Sequence, residues 1–393
     1  MNRIIVVGDL SSTNLGDPLL TQCCGYIVKH VLGEQDIPIE LFDIAGRRPA
    51  HVKTSSYHPV PNHRKSHLFG FVREEIMPVV RWFLRDARVF RKRMSRIDSD
   101  NAIFIIAGGA LISSSLFYAL RLHEIVRIAH RHNGKVIFNS VGIEKSVYNH
   151  GLAKYIIRNL LKQKEVVAFS TRDHVEDVPY LTNRKGFYRK TPDPGLFTSE
   201  TYAIKKKDAQ LVGLSVISYQ AYQSIVQDDN RATKVTADYL IQYWSAIIRH
   251  LQQMKMDFRI LTNGGMADYA MAKRLASKLK LDEQKYLMPL PKTPSELVSQ
   301  LSMFRMVIAH RLHACIISTS LNIPIIPIIW SDKLRVFAEM IDNRFATWPE
   351  IEETTHFDEV INKALNESVD ISVLKEEIIN YLTESINLAQ KYE

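Results

Sequence analysis

Cysteine is scarce in this chain: Cys23, Cys24 and Cys315 are the only three among 393 residues. The first two are adjacent and no CxxC pair exists. A zinc ribbon, a dithiol redox motif and a disulfide framework are therefore excluded, and buried reduced thiols of a cytosolic protein are the expectation. Long apolar runs are absent too. The richest, Ile323 to Trp330, carries Pro324 and Pro327 and is far too short to span a bilayer, so it reads as a buried strand. The run after Arg3 is likewise too short for a signal peptide and ends in Gly8-Asp9, as a strand does when it feeds a loop. Neither a GxGxxG nor a GxxxxGKS pattern occurs, which removes dinucleotide and P-loop nucleotide binding. A G-x-S-x-G elbow is also missing. Internal repeats and low-complexity tracts are not found.

What is present is an ordinary globular composition, 46% apolar and 24% charged, in a chain long enough for two cores. The net charge of +9 suits an anionic partner. Much of the excess is local. Ten lysines and arginines lie between Arg64 and Arg96, opposed only by Glu74, Glu75 and Asp86. Ile76, Val79, Val80, Trp82, Phe83, Leu84, Val89 and Phe90 are interleaved with them. Two readings stay open for residues 64–96. One is a basic amphipathic helix that lies on anionic lipid or lines an acidic groove; the other is an insertion that packs its apolar face and leaves its arginines solvated. A nucleic-acid partner is not expected, because phosphate tracking needs a continuous basic surface rather than one basic segment.

The apolar pattern alternates strands and helices. Strands are expected at Ile4–Val7, Ile39–Ile44, Ala102–Ala107, Lys135–Ser140 and Glu165–Ser170. After the run Lys205-Lys206-Lys207-Asp208 the pattern restarts, with strands at Leu211–Ile217, Phe258–Thr262, Met306–Ala309 and Ile323–Ile329. A helix from about Pro18 should be capped by Asp17, and another should run from Leu312 to Ser320. Continuous apolar strands separated by helices indicate parallel sheets covered on both faces. The fold class is thus α/β, with two Rossmann-like domains facing a cleft. Residues 1–204 form the first domain with a basic insertion at about 62–98, 205–345 the second, and 346–393 a helical tail. The helix at about Ile371–Lys391 is expected to cross back onto the first domain.

Ligands of open parallel sheets bind outside the carboxyl ends of the strands. That rule selects His310-Arg311-Leu312-His313, Trp330-Ser331-Asp332-Lys333 and Thr171-Arg172-Asp173. One histidine, one lysine and two arginines there, beside a helix N-terminus, suit a small multiply charged anion. Gly108-Gly109 and Gly264-Gly265 also follow strands, although each alone reads as a tight turn before it reads as a ligand contact. No metal site is expected: His63 and His67 lack a carboxylate, and His310 and His313 adjoin cations.

Taken in order, these residues resemble the polysaccharide pyruvyl transferase family. Asn14-Leu15-Gly16-Asp17 resembles its N-x-G-D loop, and Gly108-Gly109-Ala110-Leu111 its glycine turn, with Ala110 where a third glycine is usual. Ser140-Val141-Gly142, Thr171-Arg172-Asp173, Asp193-Pro194 and Gly213-Leu214-Ser215 follow in family order. Arg311-Leu312-His313-Ala314 with Pro324, Pro327 and Lys333 is the most specific piece, and Ala309 stands near a position where glycine is commoner.

The resemblance implies a GT-B-like fold, an acceptor-side first domain, a donor-side second domain, and phosphoenolpyruvate as co-substrate with no further cofactor. The implied reaction forms a pyruvate ketal on a sugar of a surface polysaccharide or of its lipid-linked oligosaccharide precursor. It also implies that Arg172, His313 and Lys333 hold and activate the donor, with His313 as the acid and Arg311 bracing the loop or joining the donor set. Asn14, Gly16, Asp17, Gly108, Gly109, Gly264 and Gly265 are candidate loop contacts. The expected location is cytoplasmic, peripheral to the inner face of the membrane if the basic segment binds lipid. Two other classes remain open: a sugar-nucleotide glycosyltransferase of the same fold, and a non-catalytic anion-binding protein of polysaccharide assembly.

Overall fold

A computed structural model of the chain describes residues 2–47, 77–97, 99–149, 151–184, 186–207, 210–225, 235–347 and 349–391. The chain divides into two compact units. The first holds Met1–Ser12, Leu20–Pro194 and Leu374–Glu393; the second holds Thr13–Leu19 and Gly195–Val373.

In the first unit six parallel strands form one sheet in the order β2-β1-β3-β4-β5-β6. They are β1 (Arg3–Gly8), β2 (Ile39–Asp43), β3 (Ala102–Ala107), β4 (Lys135–Val141), β5 (Val166–Thr171) and β6 (Tyr188–Lys190). Every residue of β3 and β5 is buried, as continuous Ile, Val, Phe and Ala runs require when helices cover both faces. The helix Leu116–Arg131 shows how the crossovers attach: Ala119, Leu122, Val126 and Ala129 recur at helical spacing and are buried. The chain leaves β1 for β2 on one side and returns to β3 on the other, so the sheet changes direction between β1 and β3.

The helix Ser372–Lys391 buries Ile378, Tyr381, Leu382, Ser385, Ile386 and Ala389, and from Leu374 onward it belongs to the first unit. Burial pushes the Tyr381 hydroxyl pKa up, which keeps it a proton donor. It donates to the Phe138 carbonyl at 2.6 Å, while Arg189 pairs with Glu384.

The second unit repeats the plan with four parallel strands in the order β10-β9-β7-β8. They are β7 (Leu211–Ser215), β8 (Phe258–Leu261), β9 (Phe304–Ala309) and β10 (Ile325–Pro327). Helix starts carry the expected caps. The Thr236 hydroxyl accepts from Tyr239 N–H at 3.0 Å, and the Thr293 hydroxyl from Glu296 N–H at 3.2 Å ahead of Pro294. Here the switch in strand order falls between β7 and β9.

Several boundaries differ from the sequence expectation, each for a local reason. The division falls at Pro194/Gly195, ahead of the lysine run, because residues 195–207 bond within the second unit. Ser199 N–H donates to the Ser320 hydroxyl at 2.9 Å, and Lys207 N–H to the Ser302 carbonyl at 2.8 Å. The stretch expected to be a tail is shared, with 346–373 in the second unit and the remainder in the first. Strand β10 is shorter than the apolar run around it, since Pro324 and Pro327 have no N–H for the ladder. The first helix starts at Gly16, so Asp17 lies in its first turn rather than at its cap.

Residues 62–76 and 98 of the expected basic insertion lie outside the described residues. The rest forms a helix Met77–Arg81, a π turn Trp82–Asp86 and a helix Ala87–Met94. Trp82, Ala87, Phe90 and Met94 are buried. The five-residue step from Trp82 to Ala87 would split the stripe in a regular α-helix; the π turn keeps both on the packed side.

Candidate functional site

The switch point of the second sheet is where its candidate residues gather. Ser215 ends β7 opposite Ala309, which ends β9. One residue further, His310 N–H donates to the Ser215 carbonyl at 3.0 Å. The next strand out, β10, pairs with β9 in register, so the segments after both strands leave on one edge. The Trp330 indole N–H donates to the His310 carbonyl and ties those two segments together. The first segment starts the helix Leu312–Ser320, with His313 in its first turn. The second starts the helix Asp332–Met340, with Lys333 in its first turn. Both helices therefore direct the positive end of their dipoles and their first free N–H groups to this edge.

Several polar atoms on the same edge are buried without a hydrogen-bond partner among the described residues. They are the Ser215 and Thr262 hydroxyls, the Asn263 side-chain amide and both ring nitrogens of His310. Folded proteins rarely leave buried polar atoms unmet, so those of Ser215, Thr262 and Asn263 are open to a ligand or to water, whereas the His310 ring packs among aromatic side chains.

The loop Thr13–Leu19 belongs to this site. Leu15 N–H donates to the Asn263 carbonyl at 3.0 Å, and the Asn14 amide lies 3.3 Å from the Asp17 carboxylate. Gly264 has φ +98°, and a Cβ there would fall 2.7 Å from Leu15 Cγ and 2.9 Å from the Thr13 carbonyl oxygen. Gly16 lies against the His313 ring, where a Cβ would fall 1.9 Å from Nδ1. Leu15 and Gly16 of the N-x-G-D loop are thus brought against Asn263-Gly264 and against His313 of the R-L-H-A segment. Gly265 differs: it caps the helix Met266–Lys278, and a Cβ there would meet only ordinary contacts.

Arg311 is committed. Its Nε and Nη2 each donate to the buried Asp268 carboxylate at 2.7 Å, and that carboxylate also accepts from Ser218 N–H at 2.8 Å. The Nε–Nη2 edge, one of the two edges of a guanidinium that can grip an anion in bidentate fashion, is therefore occupied by Asp268. Asp268 and Asn263 were not singled out from the sequence, and Trp330 only as part of the segment that follows its strand. The only signal for them was position: an acid in a first turn, the residue after β8, and the residue before the Ser331 cap.

The two histidines of the motif separate cleanly. His310 is fully buried among Tyr243 and Trp244, with ring centroids 6.0 and 5.1 Å away. Burial, with Arg311 nearby, pushes its pKa down to about 3, so it is a neutral core residue. His313 is the one placed at a helix start against a glycine.

A second set of strand-end residues lies in the first unit. Gly142 N–H donates to the Gly109 carbonyl at 2.6 Å. Gly108 and Gly109 both have positive φ, +50° and +67°, and a Cβ on Gly108 would fall 2.9 Å from Leu20 side-chain carbons. These glycines are required by turn geometry and close approach. Arg172 follows β5 and is buried. Its Nη1 is paired with Asp193, Nε lies 3.8 Å from the Asp173 carboxylate, and Nη2 packs beside Gly142. Asp173 in turn accepts from Ile143 N–H at 2.7 Å. The S-x-G, R-D and D-P segments therefore form one network in which two carboxylates already face the Arg172 charge.

For a metal, one group among the described residues offers three ligand atoms within 4.8 Å of one another: His174, Glu176 and Asp177. Only the histidine is buried, and solvated carboxylates beside a histidine are common without an ion. No helix among the described residues is long and apolar enough to cross a membrane.

Comparison with known proteins bears on the fold and the family. The chain is similar to the S. aureus MnaA–UDP co-structure at 10% identity and TM-score 0.56, covering 99% of this chain and 98% of that one. It is similar to the UDP-GlcNAc 2-epimerase of Methanocaldococcus jannaschii at 9% identity and TM-score 0.53, covering 100% and 99%. At such identities the likeness is one of fold, two Rossmann-like domains with parallel sheets. No curated protein matches the chain in sequence. The family profile described as "Polysaccharide pyruvyl transferase" matches residues 14–332, from the loop that meets His313 to the residue before Lys333. The chain belongs to the polysaccharide pyruvyl transferase family.

Proposed function

We propose that the chain transfers the pyruvyl group of phosphoenolpyruvate to a sugar of a surface polysaccharide or its lipid-linked precursor, forming a ketal, with His313 as general acid. The observation that carries this reading is the placement of His313. It stands in the first turn of a helix at the switch point of the second sheet, with Gly16 against its ring and partnerless polar groups on the neighbouring strand ends.

Ketal formation from an enol phosphate begins by adding a proton to the methylene carbon, which leaves positive charge on the neighbouring carbon. A sugar hydroxyl bonds to that carbon and gives up its proton. The carbon–oxygen bond to phosphate then breaks, phosphate taking the electron pair, and a second hydroxyl of the same sugar bonds to the resulting cation and loses its proton. The sum is phosphoenolpyruvate plus a diol giving ketal plus inorganic phosphate. An imidazole can deliver the first proton and recover one from a hydroxyl, a contribution of about 10²–10⁴ in rate. The helix start at Leu312 and Lys333 would hold the donor's carboxylate and phosphate, Lys333 acting as a compact charge. Arg311 positions the loop through Asp268.

The test is phosphate release from phosphoenolpyruvate with a panel of glycosides, wild type against His313→Ala. Loss of turnover by two or more orders of magnitude is expected, and near-wild-type turnover would overturn the acid role. Transfer from a sugar nucleotide is the second reading, favoured by the fold, since the S. aureus relative was solved with UDP. Nucleoside diphosphate release from the same acceptors would replace the first reading with this one, and release of neither product would favour a non-catalytic anion-binding protein.

A further inference from the structure

The helical segment Met77–Met94 presents two apolar faces, and only one is packed. The packed face is anchored firmly. Trp82 and Phe90 meet edge to face, with ring centroids 5.9 Å apart, and Phe90 meets Phe42 at 5.4 Å. Asp86 accepts from Arg121 at 3.2 Å, and Arg91 Nε donates to the buried Glu124 at 2.7 Å. The opposite face is therefore a fixed ridge on the first unit. It carries Met77, Val80, Phe83, Leu84 and Val89, all exposed, with Phe83 at 67% and Leu84 at 72%. Soluble surfaces scatter single apolar side chains; a row of them on one helix marks a contact surface.

The charge beside that row says what it contacts. Arg81, Arg85, Arg88 and Lys92 recur at steps of four, three and four residues and are all exposed. Arg81 is 3.5 Å from Asp86, while Arg85, Arg88 and Lys92 face no carboxylate among the described residues. Apolar tips bordered by a stripe of unopposed cations complement a surface that is anionic outside and apolar just beneath. A two-fold contact with a second copy would set like-charged stripes together.

We propose that this segment seats the protein on an anionic lipid bilayer, with Phe83 and Leu84 at the headgroup boundary and Arg81, Arg85, Arg88 and Lys92 against the headgroups. The inference is independent of the donor chemistry.

The test is flotation of the full chain with phosphatidylcholine vesicles made with and without phosphatidylglycerol, at low and high salt. Binding is expected only with phosphatidylglycerol and should weaken as salt rises. The pair Phe83→Ser with Leu84→Ser, and separately the pair Arg85→Glu with Arg88→Glu, should each lower partitioning about tenfold or more. Melting temperature and turnover on a water-soluble acceptor should stay at wild-type values. Equal flotation with both vesicle types, no flotation, or variants that float like wild type would each overturn the proposal. So would loss of a wild-type dimer in sedimentation by the Phe83/Leu84 pair without a change in flotation, which would make the face a self-interface. A fall in melting temperature in both pairs with flotation unmoved would also overturn it, because the face would then be covered by the chain's own residues 48–76.

Discussion

The α-carbon of Gly16 lies so near the His313 imidazole that a methyl group in its place would sit 1.9 Å from Nδ1. Glycine at the start of a helix is normally a small loss of stability, so its use here is explained by the ring. Gly16→Ala should displace the imidazole and cost activity by about a hundredfold or more, since small misplacements of a reacting group are expensive. In a His313→Ala background the conflict vanishes, and the same change should raise stability by on the order of 0.5 kcal/mol. Thermal melts of the single and double variants check this; additive effects would mean that the two positions do not touch.

His310 supplies a pH prediction. The unfolded chain takes up a proton at this group near pH 6.5, whereas burial makes the folded chain refuse it down to about pH 3. The stability tied to the neutral ring is thus fully present above pH 6.5 and is lost as pH falls towards 3, reaching roughly 2 kcal/mol by about pH 5. His310→Phe keeps an aromatic beside Trp244 and Tyr243 and should flatten the acid limb of the stability curve by that amount. Parallel acid limbs for variant and wild type would contradict the burial of the ring.

Asp268 holds both the Arg311 fork and the Ser218 backbone. Asp268→Ala would leave a part-buried guanidinium without its carboxylate and should destabilise by about 3 kcal/mol, with turnover falling as the loop before His313 loosens. Arg311→Lys keeps the charge but loses the fork, and should lower turnover while costing less stability than Asp268→Ala. Denaturant melts read beside steady-state rates check both.

Arg172 poses a sharper question, because two carboxylates already answer its charge. Arg172→Ala should strand Asp193 and Asp173 in a buried setting and destabilise by about 3–5 kcal/mol. If the guanidinium served the donor alone, the melting temperature would hold and only KM for phosphoenolpyruvate would rise.

Much of this arrangement is legible in the sequence, and the parts that are not share a cause. Strands such as Ala102–Ala107 announce themselves because both sheet faces are covered, which forces an unbroken apolar run. The edge strand Tyr188–Lys190 does not, since two of its three residues are exposed and polar. The helix Leu312–Ser320 is visible from its start at a strand end, and that rule also selects His313. The choice of His313 over His310 comes from the family motif and not from the strand-end rule; its physical grounds, Tyr243, Trp244 and Gly16, are all distant in the chain. The Arg311–Asp268 pair has the same character: Asp268 lies 43 residues away and is marked in sequence only as one acid among many. Residues Thr13–Leu19 are the extreme case. Nothing periodic in them says that they belong with Asn263 and His313 rather than with the strand they follow.

That last assignment decides how the protein can be taken apart. The polypeptide passes from one unit to the other at Ser12, at Leu19, at Pro194 and at Val373, so no single cut yields two whole pieces. A fragment spanning Gly195 to Val373 would be missing the seven-residue splint that fills the space beside the His313 ring and takes up the Asn263 carbonyl. Its weak behaviour would report an open wound in its own fold rather than the absence of the other half. Dissection of this enzyme family member is better done by point changes than by truncation.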